Sequence, residues 1–235
     1  EHRRSQLSGY TKYVCERFNQ PHKFTTFLGY EWSQAGNAGH RNVYYFGDNG
    51  APVFSSIYGS GELFNPRLPL DYWLDKYDDI TELWNNLYMI KQAGLISDAL
   101  TIPHASMASC NPGGGTNWDY PEDPDENFQR LVEIYSMHGC SEYYGCPGEL
   151  HWGKPLRPEG SVQYALGNRG YKLGIIANSD THTGHPGMNN WVRTIPQTGG
   201  LTAVLAEENT RAAIWEALKA RRCYATTGVK ILLNF

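Results

Sequence analysis

Apolar residues in this chain come in short, near-continuous runs, and each run breaks off into polar, chemistry-bearing residues. The pattern occurs at KFTTFLGYEWS (23–33), RNVYYFG (41–47), DALTIPHAS (98–106), RLVEIYSMHG (130–139) and KLGIIANSDTH (172–182). None alternates strictly between apolar and polar, so each reads as a strand covered on both faces, as in a parallel sheet. Helical periodicity falls between these runs. DDITELWNNLYMIKQAG (78–94) puts Leu83, Trp84, Leu87 and Ile90 on one face, with Asp79 or Thr81 to cap its start and Gly94 to end it. ENTRAAIWEALKARR (208–222) starts at Asn209 or Thr210, offers Ala213, Ile214, Ala217 and Leu218 as its buried stripe, and ends on Arg221 and Arg222, where the helix dipole favours cations. Strands alternating with helices predict an α/β fold.

Two long irregular stretches, 108–127 and 143–160, each follow a predicted strand. Loops of that length in a compact domain are usually functional, and here they read as walls of a substrate pocket. Their aromatic residues, Trp118, Tyr120, Tyr143, Tyr144 and Trp152, suit either stacking on a sugar or aryl group or ordinary packing. The 235 residues are expected to form one domain, 1–235.

Composition narrows the function classes. Twenty Lys and Arg stand against 24 Asp and Glu, a net charge of -4, and no basic run marks a nucleic-acid partner. No stretch reaches the roughly 18 apolar residues of a bilayer span, and a mean hydropathy of -0.52 fits a soluble chain. The compartment stays open, and an extracytoplasmic one is compatible with the cysteines. There are five, at 15, 110, 140, 146 and 223, without a CxxC pair. Cys140 and Cys146 bracket SEYYG and can either close a small disulfide loop or remain buried thiols.

The strand ends carry the candidate chemistry. Glu31 ends FTTFLGYE, His104 ends LTIPH, and Asp180 with His182 ends LGIIANSDTH. Carboxylate and imidazole are the ligands that zinc, manganese and iron sites use, and parallel strands would bring these four to one face. Singly, each has an ordinary explanation: Glu31 can pair with Arg41, a histidine after a strand can satisfy a loop carbonyl, and an Asp before a turn can cap it. Recurrence at several strand ends is what singles the set out. His138 and His185 suit a proton donor or a substrate contact. Arg41 suits a phosphate clamp, and Glu133 suits a partner for a histidine ligand or a substrate contact.

The motifs GYEWS with GHRNVYYF, IPHAS, VEIYSMHG and ANSDTHTGHPG resemble the central and later motifs of the PHP superfamily, named for polymerase and histidinol phosphatase, and within it a poorly characterised branch. The resemblance covers most of residues 23–235. It implies a distorted (β/α)7 barrel with two or three divalent ions (Zn, Mn or Fe) at the C-terminal strand ends. It makes Glu31 the bridging carboxylate, His104, Asp180 and His182 further ligands, and His40 the histidine that opens the strand after the bridging Glu. The family's early H-x-H and D-H motifs are absent, which implies a fragment whose barrel is incomplete at its N-terminal strands. The expected activity is metal-dependent hydrolysis of a small-molecule ester, with a phosphoester favoured because several cations offset phosphate charge. The alternatives are another ester or an amide on the same site, or a non-catalytic binding or assembly protein whose site has lapsed. Oligomeric state is not legible.

Overall fold

The computed structural model describes residues 2–33, 38–47, 51–54, 80–107, 115–119, 124–147, 156–181, 184 and 199–233, with side chains from residue 9 onward. Helix α1 (His2–Phe18) leads into strands β1 (Leu28–Ser33) and β2 (His40–Phe46), followed by α2 (Ile80–Gln92) and β3 (Asp98–Pro103). Then come β4 (Leu131–Ser136), β5 (Gly139–Cys140), α3 (Val162–Gly167), β6 (Gly174–Ala177), β7 (Leu201–Val204), α4 (Arg211–Lys219) and β8 (Cys223–Thr226). All five apolar runs form strands. Both predicted helices form too, α2 ending at Gln92, two residues before Gly94, whose φ of 72° favours glycine, and α4 capped by the Thr210 side chain, which accepts from Ala213 N. Thr81 lies inside α2 rather than at its cap, and Asp79 lies outside the described residues.

The expected (β/α)7 barrel is not what these strands build. Among the described residues they form three small sheets, ordered β1-β2-β3, β5-β4-β6 and β7-β8, with no closed barrel. Among the described strands only β4 and β6 pair in parallel; β1-β2, β2-β3, β4-β5 and β7-β8 are antiparallel. Connection length explains much of this. Residues 34–39 alone join β1 to β2, whereas a parallel crossover needs a dozen or more, so these two strands can only form a hairpin. The same holds for β4 and β5, joined through residues 137 and 138. Between β4 and β6 the chain is long enough to include α3, and there the parallel pairing appears.

The apolar runs were nevertheless right about burial. One face of the first sheet, with Trp32, Val43, Tyr45 and Ala99, packs under Ile80, Leu83, Trp84, Leu87 and Ile90 of α2. The opposite face, with Leu100 and Ile102, meets Leu131 of β4, Ile176 of β6 and Trp215 of α4. Trp215 stacks on Phe46 at 5.3 Å between ring centroids, a residue the expected apolar stripe of α4 had omitted. Strand β7 begins against the end of β6: a Cβ on Gly200 would lie 2.5 Å from Ala177 Cβ and 2.8 Å from Tyr135 O, so only glycine permits the approach. Strand β6 therefore runs into its polar ending under tight backbone constraint.

Candidate metal centre

Strand register brings the strand-end residues together. Ser33 pairs with His40, Glu31 with Asn42, and Arg41 with Pro103, while His104 N donates to His40 O at 3.3 Å and extends the ladder by one residue. Because β2 runs between β1 and β3 and opposes both, β1 and β3 point the same way and end at the start of β2. Side chains alternate along strands, so Glu31, His40, Asn42 and His104 share one face. That face looks toward β4 and β6.

Glu31 Oε1 lies 2.8 Å from His40 Nδ1 and 3.5 Å from His104 Nε2. One donor atom from each of the three residues lies within 4.8 Å of the others, a group that can hold a metal ion. A second pair adjoins it: Asp180 Oδ2 is 4.0 Å from His104 Nε2 and 3.2 Å from His138 Nε2. The chemistry of this set, two carboxylates and three imidazoles at the junction of two sheets, fits divalent transition metals. His104 is 3% exposed and turns Nε2 toward both carboxylates, while its Nδ1 has no hydrogen-bond partner among the described residues.

Local backbone supports the placement. Asp180 adopts φ 52° and Ala105, next to His104, adopts φ 46°, left-handed conformations that cost a non-glycine residue energy and cluster at functional sites. Met137 N donates to Ser179 O at 3.2 Å, tying the turn that carries His138 to the residue before Asp180.

Charge is arranged to match. Hydrogen bonds from His104 and then His40 hold the Glu31 carboxyl well below the ordinary range, against an opposing effect of burial. Burial works against a charge on His104, but the hydrogen bond to Glu31 and the fields of Glu133, Asp180 and Glu31 outweigh it and raise its pKa. Glu133 lies fully buried on β4, accepting from Asn178 Nδ2 at 3.1 Å. Burial pushes its carboxyl up to about 7; His104 opposes that, the Asp180 charge adds to it, and hydrogen bonds to Asn178 and Ser136 oppose it.

A stability prediction follows from Glu133. Between pH 4.5 and about 7 the unfolded chain loses this proton while the folded one keeps it, so the folded state binds more protons and stability falls as pH rises. Over that window the loss is roughly 3 kcal/mol, and Glu133→Gln should remove it. Urea unfolding of metal-free protein at pH 5 and pH 8 checks this: the variant gains on the wild type at pH 8 and not at pH 5. An equal difference at both pH values would contradict it.

Other expected site residues fall differently. Arg41 leaves β2 on the opposite face, buried, with Nε donating to Gln129 Oε1 at 3.0 Å, NH1 donating to Ala38 O and the guanidinium lying over Trp32. Glu31 thus pairs with histidines and not with Arg41. His138, expected as a proton donor or substrate contact, stands beside Asp180, with Nε2 3.2 Å from Oδ2. His182 and His185 lie outside the described residues. Trp118 packs with Val132, Val162 and Ala165 and donates to Gly160 O at 3.0 Å. Beside the cluster opens a groove of about 470 Å³, lined among others by Asn42, Tyr44, Glu133, Asn178, Asp180 and Thr202. Asn42 and Tyr44 were within reach of sequence reasoning, since they follow His40 at the two-residue period of a strand.

The family whose model matches this chain is described as "protein of unknown function (DUF3604)", and the match covers residues 5–143 and 188–235. An uncharacterized protein of Chlamydia trachomatis is 36% identical over 148 residues, 59% of this chain and 22% of its own length. Uncharacterized proteins of Chlamydia muridarum (35% over 118 residues; 46% of this chain, 18% of theirs) and Chlamydia pneumoniae (33% over 141 residues; 59% and 22%) are also similar. The chain spans about a fifth of the length of these curated relatives. No solved structure matches it.

Proposed function

We propose that this chain, which belongs to the DUF3604 family of proteins of unknown function, carries the central part of a metal-dependent hydrolase site. The observation that carries the reading is the convergence of one donor atom each from Glu31, His40 and His104 within 4.8 Å, with Asp180 and His138 directly alongside. The resemblance of the strand-end motifs to the PHP superfamily supports the same reading.

The donors divide into two neighbouring groups, Glu31 with His40 and His104, and Asp180 with His138, a division that suits two or three Zn, Mn or Fe ions. When bound, such ions acidify water and offset charge on the oxygens of a scissile ester. The residues supply the rest. Glu31 is held ionised by its two histidines and is ready to ligate without first losing a proton. Glu133, fixed by Asn178, contributes a buried carboxyl next to the groove, where it can orient a substrate hydroxyl or a histidine ring. The small-molecule substrate would enter along the groove between β2 and the ends of β6 and β7.

A phosphoester remains the leading substrate class, because a cluster of ions offsets its charge. One observation favours another ester or an amide: the described residues lining the groove include no Lys or Arg, so ions alone would balance a phosphate there. A panel of chromogenic phosphate, sulfate and carboxylic esters separates the two. For the reading as a whole, Asp180→Ala in the full-length protein is expected to lose both bound metal, by elemental analysis, and turnover. Retention of both would overturn it, and a native protein containing no Mn, Fe or Zn would favour a non-catalytic binding or assembly role.

A further inference from the structure

Cys140 and Cys146 sit together behind the loops that present His104 and His138. Cys140 ends β5, opposite Tyr135 of β4, two residues after His138. Both cysteines are buried, at 8% and 2% exposure, in an apolar cluster with Ala105 and Met107. Ala105 follows His104 directly, so one small cluster backs two of the candidate ligands. The Cys146 thiol donates to the Cys140 carbonyl at 3.6 Å, and Glu142 N donates to Cys140 Sγ at 3.4 Å. Both are free thiols. The other described cysteines lie elsewhere, Cys15 on α1 against Thr26 and Cys223 on β8.

We propose that Cys140 and Cys146 are a redox modification site, closing a reversible intramolecular disulfide that fastens the 140–146 segment behind the metal centre. Cys146 Sγ already lies 3.6 Å from the Cys140 carbonyl within one buried cluster, so bringing the sulfurs to the roughly 2 Å of a disulfide is a local rearrangement of the 140–146 turn. The oxidant is a low-molecular-weight disulfide. One cysteine thiolate attacks it, forming a mixed disulfide and releasing one thiol; the second cysteine attacks the protein sulfur of that mixed disulfide and releases the other. Two protein thiols give up two electrons and two protons, and one small disulfide becomes two thiols.

The effect on the fold is readable without any assumption about activity. Closing so short a loop is expected to raise the thermal midpoint by about 5 °C for a chain of this size. The test incubates the metal-free chain with oxidised glutathione, blocks remaining thiols under denaturing conditions and maps peptides by mass. The expected result is a peptide joining Cys140 to Cys146, about 2 Da lighter than its dithiol form, together with the higher midpoint, both reversed by dithiothreitol. In Cys146→Ser, whose cooperative melting confirms folding, the link and the midpoint shift are both absent. Two thiols still free after incubation, glutathione persisting on either cysteine of the wild type, or a link to Cys15, Cys110 or Cys223 instead would each overturn the proposal.

Discussion

His104→Ala is expected to weaken divalent-metal binding more than about 100-fold, beyond the 10- to 100-fold that loss of an outer partner usually costs. Among the described residues, His104 is the one that lies near both groups of donors, with Nε2 3.5 Å from Glu31 and 4.0 Å from Asp180. Its removal therefore separates the two halves of the centre rather than trimming one of them. Equilibrium dialysis against Mn and Zn, followed by elemental analysis, reads the loss. A further signature accompanies it. The His104 pKa is raised in the metal-free protein, so metal must displace its proton, and affinity in the wild type should climb as pH rises toward that pKa. The variant should lose that part of the slope. Unchanged metal content in His104→Ala would show that Glu31, His40 and His104 are a structural ion-pair cluster and nothing more.

Phe128→Ala should destabilise the chain by about 3–5 kcal/mol, the range for deleting a fully buried aromatic ring, and lower the thermal midpoint by roughly 10 °C. Phe128 is 0% exposed and packs edge to face on Tyr88 of α2 at 4.7 Å between centroids. Its carbonyl accepts from Thr101 N of β3 at 2.9 Å, so the residue joins the helix, the first sheet and the strand entry of β4. The backbone bond survives the substitution and the ring does not, so the cost measures packing. Phe128→Leu, which keeps most of the volume, should cost no more than about 1.5 kcal/mol. Similar losses for the two variants would mean that the site collapses readily and that the ring is not a keystone of the packing.

How much of the site was legible is clearest at His104 and Arg41. His104 could be found because Glu31 and Asp180 also end apolar runs and so repeat its signal. Arg41 misled, because its side chain leaves β2 one residue out of phase with His40 and Asn42, on the face that packs under α2. A chain that lists Glu31, His40 and Arg41 close together does not say which face each takes until the register of β1 against β2 is fixed. His138 was legible as a candidate but its neighbour was not, since nothing local to EIYSMHG tells that its turn is fastened to Ser179 beside Asp180.

The fold divides along the same line. Strand positions, the two amphipathic helices and burial of the sheets on both faces follow from local pattern, because apolar periodicity is written into neighbouring residues. Strand direction does not. It depends on connection length and on which edges meet, and here it replaced the expected (β/α)7 barrel with a hairpin, an added strand and a separate parallel pair. The strand-end residues still converge, but not through an all-parallel sheet: two strands that each oppose a third are parallel to one another, so β1 and β3 finish together at the start of β2. The sequence by itself determined which residues stand at strand ends. Only tertiary structure decided that Glu31, His40 and His104 share a face, that Asp180 and His138 join them from another sheet, and that Arg41 does not, because those facts rest on contacts between segments far apart along the chain.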